Sequence, residues 1–156
     1  MSASEVADRF YTAFAAKDGA TMASLYAPEA TFSDPVFPRL DGRGAGAMWR
    51  MLCERGGDLV VRHRVEEADE TRATVHWEAD YTFSTTGRKV HNVITATLTV
   101  GDGRIVSHED VFDFWAWSRQ ALGAPGLFLG WTGMLQRKVQ GTAGGQLAKW
   151  REKHGV

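Results

Sequence analysis

The chain has 156 residues, 44% hydrophobic and 11% aromatic, with six Trp, eight Phe and three Tyr. That length suits one domain whose core needs no staples, and the single cysteine, Cys53, excludes an intrachain disulfide or a Cys-based zinc cage. Eighteen Lys and Arg against nineteen Asp and Glu leave a net charge of -1, without the positive surplus that a non-specific nucleic-acid binder needs.

No charged n-region with a following apolar run marks a signal peptide at the N-terminus, and no apolar stretch nears the roughly 20 residues that cross a bilayer. The expectation is a reduced, cytoplasmic protein. Ser2 and Glu5 fit a capping box, and Val6, Phe10 and Phe14 recur every four residues, so a first helix with one apolar stripe is expected up to Lys17-Asp18-Gly19. A second, short helix runs through Met22 and Leu25-Tyr26 and stops at Ala27-Pro28, because the residue before proline is pushed out of the helical region. An extended piece, Ala30 to Val36, follows. Asp41-Gly42-Arg43-Gly44 opens a third helix, with Ala45, Met48, Trp49 and Leu52 apolar, and Gly56-Gly57 ends it.

From Asp58 to Trp115 the period changes to two, and turn signals predict strands at 58–66, 72–84, 88–100 and 104–115 in an antiparallel meander. In the second of these Val75, Trp77, Ala79, Tyr81 and Phe83 share one face, and His76, Glu78 and Asp80 take the other. The sheet therefore has a dry side and a wet side. In the last strand His108, Asp110 and Phe112 share a face. After Gly123-Ala124-Pro125-Gly126 the remaining residues read as helical, with Leu127, Trp131, Leu135 and Val139 on a stripe.

The order is that of an α+β domain whose curved sheet wraps a helix and leaves a pocket. The stretch Leu25-Tyr26-Ala27-Pro28-Glu29-Ala30-Thr31-Phe32-Ser33-Asp34-Pro35, the Asp41-Gly42-Arg43 helix entry and Gly103-Arg104-Ile105 leading into Asp110-Val111-Phe112-Asp113 resemble the nuclear transport factor 2-like superfamily. That superfamily includes ketosteroid isomerases, SnoaL-like polyketide cyclases and limonene epoxide hydrolases. The resemblance spans about residues 4 to 122. It implies a cystatin-like cone with N-terminal helices packed in the curved antiparallel sheet, so residues 1–122 are expected to form the SnoaL-like domain and 123–156 a C-terminal helical extension of it.

Resemblance to ketosteroid isomerases makes Asp34 a general base, a role that needs a carboxylate with a raised pKa in an apolar site. The plainer reading is a turn before Pro35. The isomerase's two oxyanion donors fall on Phe10 and Ala96, which donate nothing, a loss of roughly 3 to 4 kcal/mol per donor. Resemblance to limonene epoxide hydrolases makes Asp110 a general acid, while the Arg, Asp, Tyr and Asn of that pattern fall on Trp77, Ala79, Phe32 and Asp34. What remains is Asp34 and Asp110, assisted by His108, in a pocket walled by Tyr26, Trp49, Trp77, Tyr81, Phe83, Ile94, Leu98 and Phe112. Two carboxylates in an apolar cavity resist double ionisation, which suits one as acid and the other as base. Against this stands a network in which His108 and Asp110 only satisfy each other and Tyr26.

Weaker signals read structurally. Gly42-Arg43-Gly44-Ala45-Gly46 lacks the strand and Lys of a phosphate loop, Cys53 behaves as a small hydrophobe, and no spacing demands a metal at His91, His108 and Asp110. Arg62-His63-Arg64 and the His76, Glu78, Asp80 face suit solvent or a dimer contact. The tail combines Leu127, Phe128, Leu129, Trp131, Met134 and Leu135 with Arg137, Lys138, Lys149, Arg151 and Lys153. It can lie on a membrane surface or dock over the cone, and seven glycines between Gly123 and Gly145 favour docking. The expected function is cofactor-independent acid/base chemistry, of isomerase, cyclase or hydrolase type, on a hydrophobic carbonyl or polycyclic substrate. The alternative is a non-catalytic ligand-binding or dimerisation module. Expected partners are a small hydrophobic molecule and a second copy, with no nucleic acid, metal, cofactor or membrane.

Overall fold

The computed structural model describes residues 1–156. Helix α1, Ala3–Ala15, starts at the expected box: Ser2 Oγ accepts from the Glu5 amide and donates to the Glu5 carboxylate. Ala3, Ala7 and Tyr11 repeat every four residues beside the Val6, Phe10, Phe14 stripe, and all six are buried. The face α1 turns inward is therefore wider than one stripe. Helix α2, Gly19–Ser24, is shorter than its sequence suggests, because Tyr26 already belongs to strand β1, Tyr26–Ser33. Leu25 and Tyr26 are claimed by a distant strand: Ile105 N donates to Leu25 O at 2.8 Å, and Tyr26 pairs with Ile105. Strand β2 is only Leu40–Asp41, and the Asp41 carboxylate caps α3, Gly42–Arg55, through the Gly44 amide.

Strands β3 (Val60–Ala68), β4 (Arg72–Phe83), β5 (Arg88–Gly101) and β6 (Arg104–Val111) form the expected antiparallel meander. The sheet order is β2-β1-β6-β5-β4-β3, and β1 joins parallel to β6. The last strand stops at Val111 rather than running to Trp115, since the Asp113 side chain accepts from Ala116 N and starts α4, Phe114–Leu122. Val75, Trp77 and Ala79 on β4 are buried, and their inner face meets α1 and α3 in one apolar core.

The tail is two more helices, α5 (Ala124–Leu129) and α6 (Gly133–His154), so the predicted continuous stripe is broken at Gly130–Thr132. Leu127 and Trp131 point to solvent, whereas Val139 turns inward. On α6 the residues Gln136, Val139, Gln140, Ala143, Leu147 and Trp150 fall at helical spacing on the face that meets the domain. Leu147 and Trp150 are buried, and Trp150 Nε1 donates to Glu54 of α3 at 2.6 Å. No helix is long and apolar enough to cross a membrane.

Candidate functional site

The parallel pairing of β1 with β6 organises the site. Phe32 is the register partner of His108 and Ser33 that of Glu109, so the next residue, Asp34, leaves the strand beside Asp110. Sequence-distant carboxylates are thus brought to one end of two adjacent central strands.

His108 and Asp110 are almost wholly buried, and a chain of hydrogen bonds runs through them. Trp49 Nε1 of α3 donates to the Tyr26 hydroxyl at 2.8 Å, and that hydroxyl lies 2.6 Å from His108 Nδ1. His108 Nε2 lies 3.0 Å from Asp110 Oδ1, which also accepts from Trp77 Nε1 at 3.3 Å. Counting donors assigns the protons: with its oxygen taken by Trp49, the Tyr26 O–H donates to Nδ1, and His108 keeps its proton on Nε2 for Asp110. Burial holds the Tyr26 hydroxyl well above the usual phenol range, so it stays a donor. Phe10 and Phe32 meet the His108 ring edge-on, at 5.5 and 4.9 Å between centroids, and Trp49 stacks on it at 6.1 Å. The imidazole is caged and cannot turn out of this line.

Asp34 forms the turn that its Asp-Pro pair suggests. Its Oδ1 accepts from Val36 N at 2.7 Å and from Phe37 N at 2.6 Å. Those bonds favour the charged carboxylate, yet burial outweighs them, and with the nearby Asp110 charge pushes the Asp34 pKa up to about 7. The turn and the raised pKa coexist in one residue.

The SnoaL-like domain family profile matches residues 7–108. The chain belongs to this family. Among solved structures, this SnoaL-like domain is similar to IdmH, a proposed polyketide cyclase from Streptomyces antibioticus (24% identity, TM-score 0.64, 78% of this chain and 98% of that one). A proposed polyketide cyclase from Xanthomonas campestris gives 21% identity and a TM-score of 0.64 over 74% of this chain and 93% of its own. An LEH-like epoxide hydrolase of M. tuberculosis gives 18% and 0.60 over 80% and 91%. At these identities the likeness is one of fold. No curated protein matches the chain.

The residues expected to wall a pocket of this SnoaL-like domain divide into two groups. Tyr26, Trp49, Trp77, Ile94 and Leu98 sit in the main core, where Trp49 meets Trp77 edge-on at 6.2 Å and both meet Phe14. Tyr81, Phe83 and Phe112 are half-buried beside Val36, Trp117 of α4 and Val139 of α6. This second group lies on the Asp34 side: burial raises the Tyr81 pKa with a contribution from the Asp34 charge, and Trp117 Nε1 donates to the Tyr81 hydroxyl at 2.8 Å. The tail covers the same place, with Gln136 and Gln140 Nε2 both donating to Pro35 O, at 3.0 and 3.1 Å.

Other sequence signals fall apart spatially. His91 points to the outer sheet face, where it pairs with Asp80 at 2.7 Å, away from the inward His108 and Asp110. Cys53 is buried with its pKa raised to about 11, chiefly by burial, which leaves it an unreactive thiol. Two surface clefts, of about 260 and 290 Å³, are lined by residues such as Arg50 and Trp150 or Asp58 and Lys89, and neither includes Asp34 or Asp110.

Three side chains act in ways that the sequence does not mark. Trp49 and Trp77 were legible as aromatic bulk, but nothing in the sequence marks their indole N–H groups as donors to Tyr26 and Asp110. Tyr11 is not among the residues that the sequence singles out. Its hydroxyl is fully buried without a hydrogen-bond partner, and its pKa is raised by burial and then by the Asp110 charge. It is therefore an unpartnered hydroxyl in the core, close enough to Asp110 to feel its charge.

Proposed function

We propose that this SnoaL-like domain moves protons on a small hydrophobic carbonyl or polycyclic molecule, without a cofactor, with Asp34 as base and Asp110, assisted by His108, as acid. The observation carrying this reading is the pairing on neighbouring strands of a carboxylate that titrates near neutrality with one fixed by a two-donor network. Asp34, once deprotonated, takes a proton from the carbon next to the substrate carbonyl. Asp110, carrying the one proton the pair shares while Asp34 is charged, gives that proton to the carbonyl oxygen as the enol forms. The negative charge left on Asp110 is met by the N–H groups of His108 and Trp77, both already aimed at Oδ1. Return of the Asp34 proton to another carbon, and of the enol proton to Asp110, completes an isomerisation or sets up a cyclisation. Substrate enters where Gln136 and Gln140 cross Pro35, so the N-terminal half of α6 must lift. Residues 1–122 carry the chemistry in this reading and 123–156 close it.

The fully buried Phe10 and Ala96, with no side-chain donor, and the aromatic filling of the cone favour a second reading, ligand binding without turnover. A cytoplasmic homodimer joined through the outer sheet face fits either. The deciding experiment is exchange of the α-protons of 2-tetralone in deuterated water, followed by NMR. Catalysis predicts accelerated exchange that vanishes in Asp34→Asn and falls once pH passes about 7, where the pair loses the proton it shares. An Asp34→Asn rate equal to wild type removes Asp34 from the mechanism, and no acceleration with saturable binding supports the second reading.

A further inference from the structure

The most exposed apolar surface of the chain is at the α4–α5–α6 turns, outside both clefts. Trp131 is 76% exposed, Phe128 68% and Met134 63%, and Trp115, Leu127 and Leu129 are exposed beside them. Clustered apolar exposure of this kind marks an interaction site rather than ordinary surface. The fold holds it in place. Gly126 and Gly130 lie directly against Ser118 of α4, where a Cβ would collide with the Ser118 backbone and hydroxyl. That contact presses the glycine side of α5 onto α4 and leaves Leu127, Phe128 and Leu129 no direction but outward.

Charge identifies the partner. Between Asp113 and Glu152 there is no acidic residue, while Arg119, Arg137 and Lys138 fall around the patch, in a chain whose net charge is -1. The Arg119 guanidinium lies 4.3 Å over the Trp115 ring, and Arg137 folds back against Gly133 at the start of α6. Arg137 and Lys138 are exposed, with Lys138 on the side of α6 opposite Gln136 and Gln140 and Arg137 on its flank. A two-fold contact between copies through this patch would set cations against cations with no acid to answer them. Indole and phenyl rings ringed by unpaired cations instead match the boundary between acyl chains and anionic headgroups.

We infer that this surface docks the domain on an anionic lipid bilayer, with Phe128 and Trp131 in the interface and Arg137 and Lys138 on the headgroups. Docking on the cone and contact with a membrane are then not rivals, since they use different faces of α6. The test is co-sedimentation of the full chain with phosphatidylglycerol vesicles and with phosphatidylcholine vesicles. Binding is expected to the first, to fall several-fold in about 0.5 M salt and to be weak to the second. Phe128→Ser with Trp131→Ser, and separately Arg137→Glu with Lys138→Glu, should each weaken binding by about tenfold or more. All four side chains are exposed, so both variants should unfold with the wild-type midpoint; should the first misfold, the charge reversal alone decides. Absence of binding to phosphatidylglycerol vesicles overturns the inference, as does binding that neither pair of substitutions weakens. It is equally overturned if sedimentation equilibrium shows a dimer that Phe128→Ser with Trp131→Ser dissolves while vesicles go unbound.

Discussion

Trp77 on β4 reaches over β5 to Asp110 on β6, and what lets it do so is Ala96. Ala96 is the register partner of both Val75 and Asp110, and its methyl group leaves room for the indole to cross toward Oδ1 at 3.3 Å. The small residue that deprives the site of one donor thereby admits another.

Substituting Ala96→Leu should therefore do two things at once. Overfilling a fully buried position costs about 1–3 kcal/mol. Displacing the indole removes one of the two N–H groups on Asp110 and strands a buried donor, which adds about 1–3 kcal/mol. Urea unfolding should show a loss at or above the packing cost alone, with a shift in tryptophan emission. Ala96→Ser, which keeps the volume nearly constant, should leave the emission unchanged. An Ala96→Leu protein as stable as wild type would mean that Trp77 does not depend on this gap.

Asp34 predicts a pH dependence whose sign is opposite to that of the carboxylates whose pKa values are lowered. Its pKa rises from 3.8 to about 7 on folding, so between those values the folded chain holds a proton that the unfolded chain has released. Stability from this group is therefore complete below about pH 4 and declines as pH rises through about 7, by no more than about 4 kcal/mol. Asp58, Asp69 and Asp80, whose pKa values are lowered by hydrogen bonds, act the other way and weaken the fold only in acid. Asp34→Asn keeps the oxygen that the Val36 and Phe37 amides need. Its unfolding free energy should match wild type near pH 4 and exceed it at pH 8.5. Parallel profiles would show that Asp34 is ionised throughout.

Legibility in the sequence follows the range of the interaction. Helix α1 and its cap, the α3 entry, the meander and the inward face of β6 were readable because each rests on contacts within a few residues or on strict alternation. The end of α2 was not, because the Tyr26 backbone is taken by β6, some eighty residues away. Asp34 and Asp110 were placed in one pocket by family resemblance alone, since their approach depends on the parallel register of β1 with β6, which no local pattern marks. The hydrogen bonding of His108 to Tyr26 and Asp110, the plainer alternative, is present, and the same bonds also shape the acid side of the proposed reaction. Least visible was the tail, where two ordinary glutamines meet a carbonyl about a hundred residues earlier.

Those two glutamines tie the tail to the chemistry of Asp34. They hold α6 across Pro35, next to the carboxylate whose pKa is raised chiefly by burial. Removing both by Gln136→Ala with Gln140→Ala leaves Leu147, Trp150 and the Trp150–Glu54 bond to anchor the C-terminal half of α6. The N-terminal half, whose remaining inward apolar contacts are few, should then open more often and let water reach the Asp34 turn. Water stabilises the charged carboxylate, so the Asp34 pKa should fall from about 7 toward the ordinary range, read from its carboxyl carbon shift in an NMR titration. Amide exchange should quicken over 133–141 and stay slow near Trp150. Exchange that quickens with no change in the Asp34 titration would place the source of its burial in Tyr81, Phe83 and Phe112 rather than in the tail. Opening that lowers the pKa would show that the helix crossing Pro35 also sets the proton affinity of the base beneath it.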